Sequence, residues 1–203
     1  MKEFNIVIAG VGGQGVITLM RIIAESALNQ GYDVKTSELH GLAQRGGPIS
    51  CHVRFGDKIY SPLVMQGEAH LIFALEPLEA LRTSYYGSKE NKTIFFVNNY
   101  PIIPLSVPVT KEIYPSMIEI NETLKDFSSK VISLNVSEIV RKEGGNIVLT
   151  NIFMLGYTVG NYLIPLEKDF VIEAIKETVP KKYLESNIQI FELGYNLKIP
   201  ARS

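Results

Sequence analysis

An uninterrupted apolar run at residues 4–9 passes without a spacer into IAGVGGQGV, residues 8–16, where Gly10, Gly12, Gly13 and Gly15 fall within six positions. Glycine carries a conformational-entropy penalty, so such a cluster marks a backbone that must bend sharply or approach another group closely. Apolar residues then recur at Val16, Leu19, Met20, Ile23, Ala27 and Leu28, the spacing of a helix with one buried face over residues 14–29. Gly31 ends that helix, and residues 32–39 read as a second strand. A strand buried on both faces, a glycine turn, a helix and a return strand make a right-handed, parallel βαβ unit. That unit restricts the chain to the α/β class.

The rest of the chain extends the sheet. Residues 48–55 and 58–64 read as two strands joined by Gly56-Asp57, a hairpin turn signal that makes the sheet mixed. Residues 70–75 (HLIFAL) form another buried strand, and Pro77 opens the helix that follows, where its missing N–H is harmless. Further strands are predicted at 93–98 and 131–136, with Pro101, Pro104 and Pro108 keeping the stretch between them extended or looped. From residue 147 the periodicity is helical, over 147–163, 167–179 and 181–195. The prediction is a three-layer, Rossmann-like mixed sheet with an inserted β-hairpin and a helical C-terminal section, in one domain over residues 1–203. The helix at 147–163 is apolar nearly all round, so it belongs in the core or against another subunit. It and residues 37–47 are expected to help form a subunit interface, and the isolated chain to substitute homodimer contacts.

Bulk properties narrow the function. The formal net charge is −1, which offers no electrostatic footprint for nucleic acid or an anionic membrane. No stretch approaches the roughly 18 apolar residues of a membrane span, and the N-terminal apolar run is too short for a secretion signal, so a cytoplasmic protein is expected. Cys51 is the only cysteine. A lone thiol cannot hold an iron–sulfur cluster, which takes about four thiolates, nor a cysteine-rich zinc site. With three histidines and no His-x-x-x-His spacing, no metal site is expected.

Two loops carry the candidate chemistry. Gly10, Gly12 and Gly15 fit G-x-G-x-x-G between a strand and a helix, the context of a dinucleotide-binding turn, with Gly13 and Gln14 inside it. The acid that should bind the ribose is displaced: Asp33 comes early and Glu38 late. The loop is therefore either a phosphate or nucleotide site or a device for close helix–strand packing. The second loop, SELHGLAQRGG at residues 37–47, belongs at the same carboxyl edge and brings Glu38, His40, Gln44, Arg45, Gly46 and Gly47. Arg45 beside two glycines suits a phosphate or carboxylate; a solvated connection is the plain alternative. Glu76, Asn98 and Asn99 end later strands on that edge, while Glu79 and Arg82, three apart, form a helical ion pair.

The stretches NIVIAGVGGQGV, SELHGLAQRGG, SCHVRFGDKIYSP and ALEPLEALR, continued by TNIFMLGYTVG and IFELGYNL, resemble the gamma-subunit family of pyruvate and 2-oxoacid:ferredoxin oxidoreductases over essentially the whole chain. Within it the resemblance is strongest to the small (beta) subunits that act on indolepyruvate. The resemblance implies oxidative decarboxylation of a 2-oxoacid, acyl transfer to coenzyme A and electron transfer to ferredoxin. It also implies a large (alpha) partner subunit that carries thiamine diphosphate and [4Fe-4S] clusters, so the isolated chain is expected to be inactive. Coenzyme A, through its pyrophosphate, becomes the candidate ligand of the glycine loop, with Gly10, Gly12, Gly13, Gln14, Gly15, Glu38, His40, Arg45 and Gly46 as candidate binding residues and no catalytic residue assigned. His70 departs from the family, where an Asp commonly precedes that strand. The alternative is a stand-alone nucleotide-binding oxidoreductase of NAD or FAD type, or a regulatory domain.

Overall fold

The computed structural model describes residues 1–40, 47–103 and 113–198. Its six strands are β1 (Glu3–Val11), β2 (Asp33–His40), β3 (Pro48–Gly56), β4 (Leu71–Ala74), β5 (Ile94–Asn98) and β6 (Lys130–Leu134), in the order β2-β3-β1-β4-β5-β6. β1, β4, β5 and β6 pair in parallel, and β3 is antiparallel to both β1 and β2. The helices are α1 (Val16–Asn29), α2 (Pro77–Arg82), α3 (Met117–Leu124), α4 (Val136–Lys142), α5 (Thr150–Gly160), α6 (Lys168–Thr178) and α7 (Leu184–Asn196).

Alternation along the strands builds two cores. Ile6, Ile8, Phe73 and Phe96 face α1 and the C-terminal helices, while Val7, Ile72, Phe95 and Val97 face α2 and α3. The sheet is thus the middle of three layers, as its apolar runs predict.

Two details differ from the sequence reading. β2 returns parallel to β1, but β3 lies between them and uses both of its edges: His52 is opposite Val7 on one side and Ser37 on the other. β3 is therefore the antiparallel strand, and its neighbours are β1 and β2. The expected partner strand at 58–64 does not form, because β3 has no edge left to offer it. Side chains hold that segment instead. Asp33 accepts from Ile59 N–H (2.8 Å), Arg54 donates to the carbonyls of Ser61 (3.0 Å) and Leu63 (3.3 Å), and His52 Nδ1 accepts from Val64 N–H (3.0 Å). The Gly56-Asp57 signal marks the end of β3, where Asp57 N–H donates to Met1 O at 3.1 Å.

The helix expected over 147–163 begins with a short 3-10 turn, Ile147–Leu149, and continues as α5. All of α5 is buried within this chain. A Cβ added at Gly156 would strike Phe191 O, at Gly160 Tyr195 O, and at Gly194 Phe153 O. Glycine on both helices lets α5 and α7 cross backbone to backbone. α5 therefore offers no surface to a second subunit; what the 147–163 stretch exposes is Ile147 (41%), Val148 (51%) and Tyr162 (90%) at its two ends.

Candidate functional site: the carboxyl edge of the sheet

The glycine loop leaves β1 at the carboxyl edge, at the β1/β4 boundary where α1 goes to one face and α2 to the other. This is the switch point at which open α/β sheets bind ligands. Gly13 (φ 100°) and Gly15 (φ 75°) adopt left-handed backbone, which L side chains disfavour. A Cβ on Gly13 would point into open space, whereas one on Gly15 would collide with the Asn151 amide that donates to Gly15 O at 2.9 Å. Gly10 answers to packing: a Cβ there would lie 2.8 Å from Gln14 Oε1 and 3.1 Å from Leu75 Cβ.

Gln14 braces the loop. Its Oε1 accepts from Val11 N–H (2.8 Å) and its Nε2 donates to Leu75 O (2.9 Å), tying β1 to the end of β4. Two main-chain donors are also committed, Gly12 N–H to Gly47 O (3.0 Å) and Gln14 N–H to Val11 O (3.2 Å). Among the described residues, the N–H groups of Gly13 and Gly15 have no partner, and no side chain caps α1. The free donors for an anion are therefore those of Gly13, Gly15 and the first turn of α1, not that of Gly12.

A cavity of about 220 Å³ opens beside Gly12 and Gly13, lined also by Tyr100, Ile102, Ser137, Val148 and Thr150. Its floor is a buried polar network. Asn98 Nδ2 donates to Leu75 O and Ser137 Oγ (both 3.0 Å), and Ser137 Oγ lies 3.0 Å from Thr150 Oγ1. Sequence reasoning found Asn98 but not Ser137, Thr150 or Asn151. The visible signal was the polar Thr-Asn pair opening an otherwise apolar helix.

The other expected residues divide. The 37–47 loop does meet the glycine loop at its far end, through the Gly12–Gly47 bond. Arg45 and Gly46, with the side chain of His40, lie outside the described residues. Glu38 is exposed on β2, opposite Cys51, two strand spacings or about 10 Å from β1. Asp33 sits at the opposite end of β2, bound to Lys35 and Ile59 N–H. With β3 interposed, neither acid stands where a ribose-binding acid of a dinucleotide fold would.

Glu76 is buried and structural: it caps α2 through Leu78 N–H (2.7 Å) and Glu79 N–H (3.2 Å), and accepts from Ile102 N–H and the Tyr114 hydroxyl. Burial, with that carboxylate beside it, holds the Tyr114 hydroxyl protonated well above the usual phenol range. Glu79 and Arg82 form the expected ion pair, and burial still raises the Glu79 carboxyl.

An iron–sulfur cluster does not fit this chain. Its single thiol, Cys51, is fully buried in the core, and burial together with the Glu38 charge pushes it up to about 12, far from the thiolate a cluster needs. Among the described residues no three His, Cys, Asp or Glu side chains are placed to hold a metal ion, and no helix is long and apolar enough to cross a membrane.

A glycine loop at the switch point of a mixed, three-layer α/β sheet defines a nucleotide-type fold. The chain belongs to the pyruvate ferredoxin/flavodoxin oxidoreductase family, whose sequence pattern matches residues 5–197. Within that family it is similar to the indolepyruvate oxidoreductase subunit IorB of Archaeoglobus fulgidus, 41% identical over 200 residues and 98% of each chain. Its fold matches a keto/oxoacid ferredoxin oxidoreductase gamma subunit from Geobacter sulfurreducens (TM-score 0.67, 20% identity, 95% of this chain and 96% of that one). It also matches a 2-oxoglutarate:ferredoxin oxidoreductase from Magnetococcus marinus, solved with 2-oxoglutarate, coenzyme A and succinyl-CoA bound (TM-score 0.70, 16% identity, 96% of this chain but 30% of that one). These likenesses support a subunit of a ferredoxin-dependent 2-oxoacid oxidoreductase; nothing in them supports a stand-alone NAD or FAD enzyme.

Proposed function

We propose that this chain is the small subunit of a cytoplasmic indolepyruvate:ferredoxin oxidoreductase. It works with a large alpha subunit that carries thiamine diphosphate and [4Fe-4S] clusters, and the complex decarboxylates an aryl pyruvate, forms the acyl-CoA and reduces ferredoxin. The observation that carries this reading is the match to IorB along nearly the full length of both chains. The lone, buried, protonated Cys51 supports it, because the electron-transfer groups then belong on another chain.

The glycine loop has a place in this proposal as the receptor for an anionic group of coenzyme A. The unpaired N–H groups of Gly13 and Gly15 supply the donors, the adjoining 220 Å³ cavity admits part of the ligand, and Arg45 adds a charge. The test is calorimetric titration of the assembled enzyme with coenzyme A. Gly13→Val, which crowds the approach and strains a left-handed residue, weakens binding. Arg45→Ala weakens it by roughly ten- to a hundredfold, the worth of about 1.5–3 kcal/mol for a charged hydrogen bond. Unchanged affinity in both variants makes the loop a packing device.

A further inference from the structure

Three helices of the chain end in the same hydrogen-bonded turn, in which one residue takes left-handed backbone. After α1, Gly31 (φ 90°) donates to Leu28 O and Tyr32 to Ala27 O; after α4, Gly144 (φ 75°) donates to Arg141 O and Gly145 to Val140 O. After α5 the same two bonds run from Tyr162 N–H to Val159 O (3.2 Å) and from Leu163 N–H to Thr158 O (2.9 Å), but the left-handed residue is Tyr162, with φ 56°. Glycine suits this position and a bulky side chain does not. The ring gains little from its own chain in return, since Tyr162 is 90% exposed. Lys92, the other non-glycine residue with positive φ among the described residues, is a charged side chain in a surface turn, where exposure is ordinary. A tyrosine kept in unfavourable backbone with its ring in water is placed for a contact outside the chain.

A cleft of about 720 Å³ opens at the foot of Tyr162. It lies at the opposite end of α5 from Asn151 and the glycine loop, beside the start of β1. Phe4, Leu163, Ile164 and Pro165 give it an apolar lining, and Lys168 and Tyr195 stand on its wall. Side chains fix that wall. Gln30 donates to Pro165 O (3.3 Å) and accepts from Glu167 N–H (2.9 Å), Asn161 donates to Leu197 O (2.8 Å), and Lys198 donates to Gly160 O (2.7 Å). Lys168 is held by Glu192 at 2.7 Å, with its ammonium 4.5 Å from the centre of the Tyr195 ring. An apolar hollow with an ammonium already set against one aromatic face is complementary in charge to a second aromatic ring.

We propose that two copies of the chain meet here about a two-fold axis, Tyr162 of each filling the cleft of the other beside Lys168. The projecting ring and the hollow that suits it share one patch, so a single contact satisfies both and closes at two copies. The face is remote from the carboxyl edge, and the proposal does not depend on what that edge binds.

The experiment follows the full chain by sedimentation equilibrium over a dilution series, and its urea unfolding at a dilution where it is monomeric. Wild type dimerises. Tyr162→Gly raises the dimer dissociation constant at least about tenfold, the effect of removing a buried aromatic anchor, yet holds or raises the urea midpoint of the monomer because the left-handed strain is relieved. Tyr162→Phe keeps the ring and the dimer. Lys168→Met, which removes the cation and keeps the stem, weakens the dimer about threefold or more. The proposal is overturned by a wild-type chain that stays monomeric up to millimolar concentration, by a dimer that Tyr162→Gly leaves intact, or by a lowered monomer midpoint in that variant, which would give the ring to its own fold. A wild-type chain that is monomeric and a Tyr162→Gly chain that no longer binds the large subunit would assign the face to that subunit and overturn it as well.

Discussion

One amide side chain, that of Gln14, ties the glycine loop to two strands, and the sequence alone placed it among ligand contacts. Gln14→Ala removes a bond to Val11 N–H and one to Leu75 O, and is expected to lower stability by about 1–3 kcal/mol in urea unfolding. The glycines separate in the same measurement. Gly13→Ala meets only the left-handed penalty of about 1–2 kcal/mol, while Gly15→Ala adds the displacement of Asn151 and loses more. Equal losses at the two positions would deny Asn151 its bracing role. His52 and His70 set a pH dependence. Each accepts a main-chain N–H at Nδ1, from Val64 (3.0 Å) and Asn5 (2.9 Å), and burial lowers both basicities, though Glu3 and Glu68 partly oppose this at His70. A base with a depressed folded pKa stabilises fully above its unfolded value, near 6.5, and that contribution is lost as pH falls from there toward the folded value. Stability should therefore drop below about pH 6.5, by up to about 1.4 kcal/mol per pH unit for each histidine, and His52→Gln should flatten the profile. A wild-type profile that is level from pH 7 to 5 contradicts this.

At the scale of elements, what the sequence made legible was whatever periodicity encodes. β1, α1, β4, β5 and the C-terminal helices appear close to their expected bounds because each buries a face or a whole run. Strand order was not legible. Nothing in the apolar pattern of residues 48–55 says that the strand inserts between β1 and β2, and that insertion removed the expected partner at 58–64 and set β2, with Asp33 and Glu38, one strand further from β1. The close crossing of Gly156 and Gly160 with Gly194 of α7 was not legible either, since only the fold brings the two helices together. Gly156→Ala drives a methyl into Phe191 O and should destabilise the chain by about 1–3 kcal/mol or more, the cost of overpacking a tight contact, visible as a lowered urea midpoint. An unchanged midpoint would mean that α5 and α7 separate without strain.

For the whole molecule, family and class were legible because AGVGGQG and HGLAQRGG occur together, while the site was only half legible. The carboxyl edge is where expected, yet Ser137, Thr150 and Asn151 reach it from distant segments that only folding brings together. The proposed division of labour leaves this chain without a redox centre and makes activity a property of the assembly. The most direct test is indolepyruvate-dependent viologen reduction with coenzyme A, measured on the purified chain, on the purified large subunit, and on the two mixed. The account predicts no reduction by this chain alone and full activity only when both are present. Turnover by this chain alone, or undiminished turnover by the large subunit without it, would contradict the account.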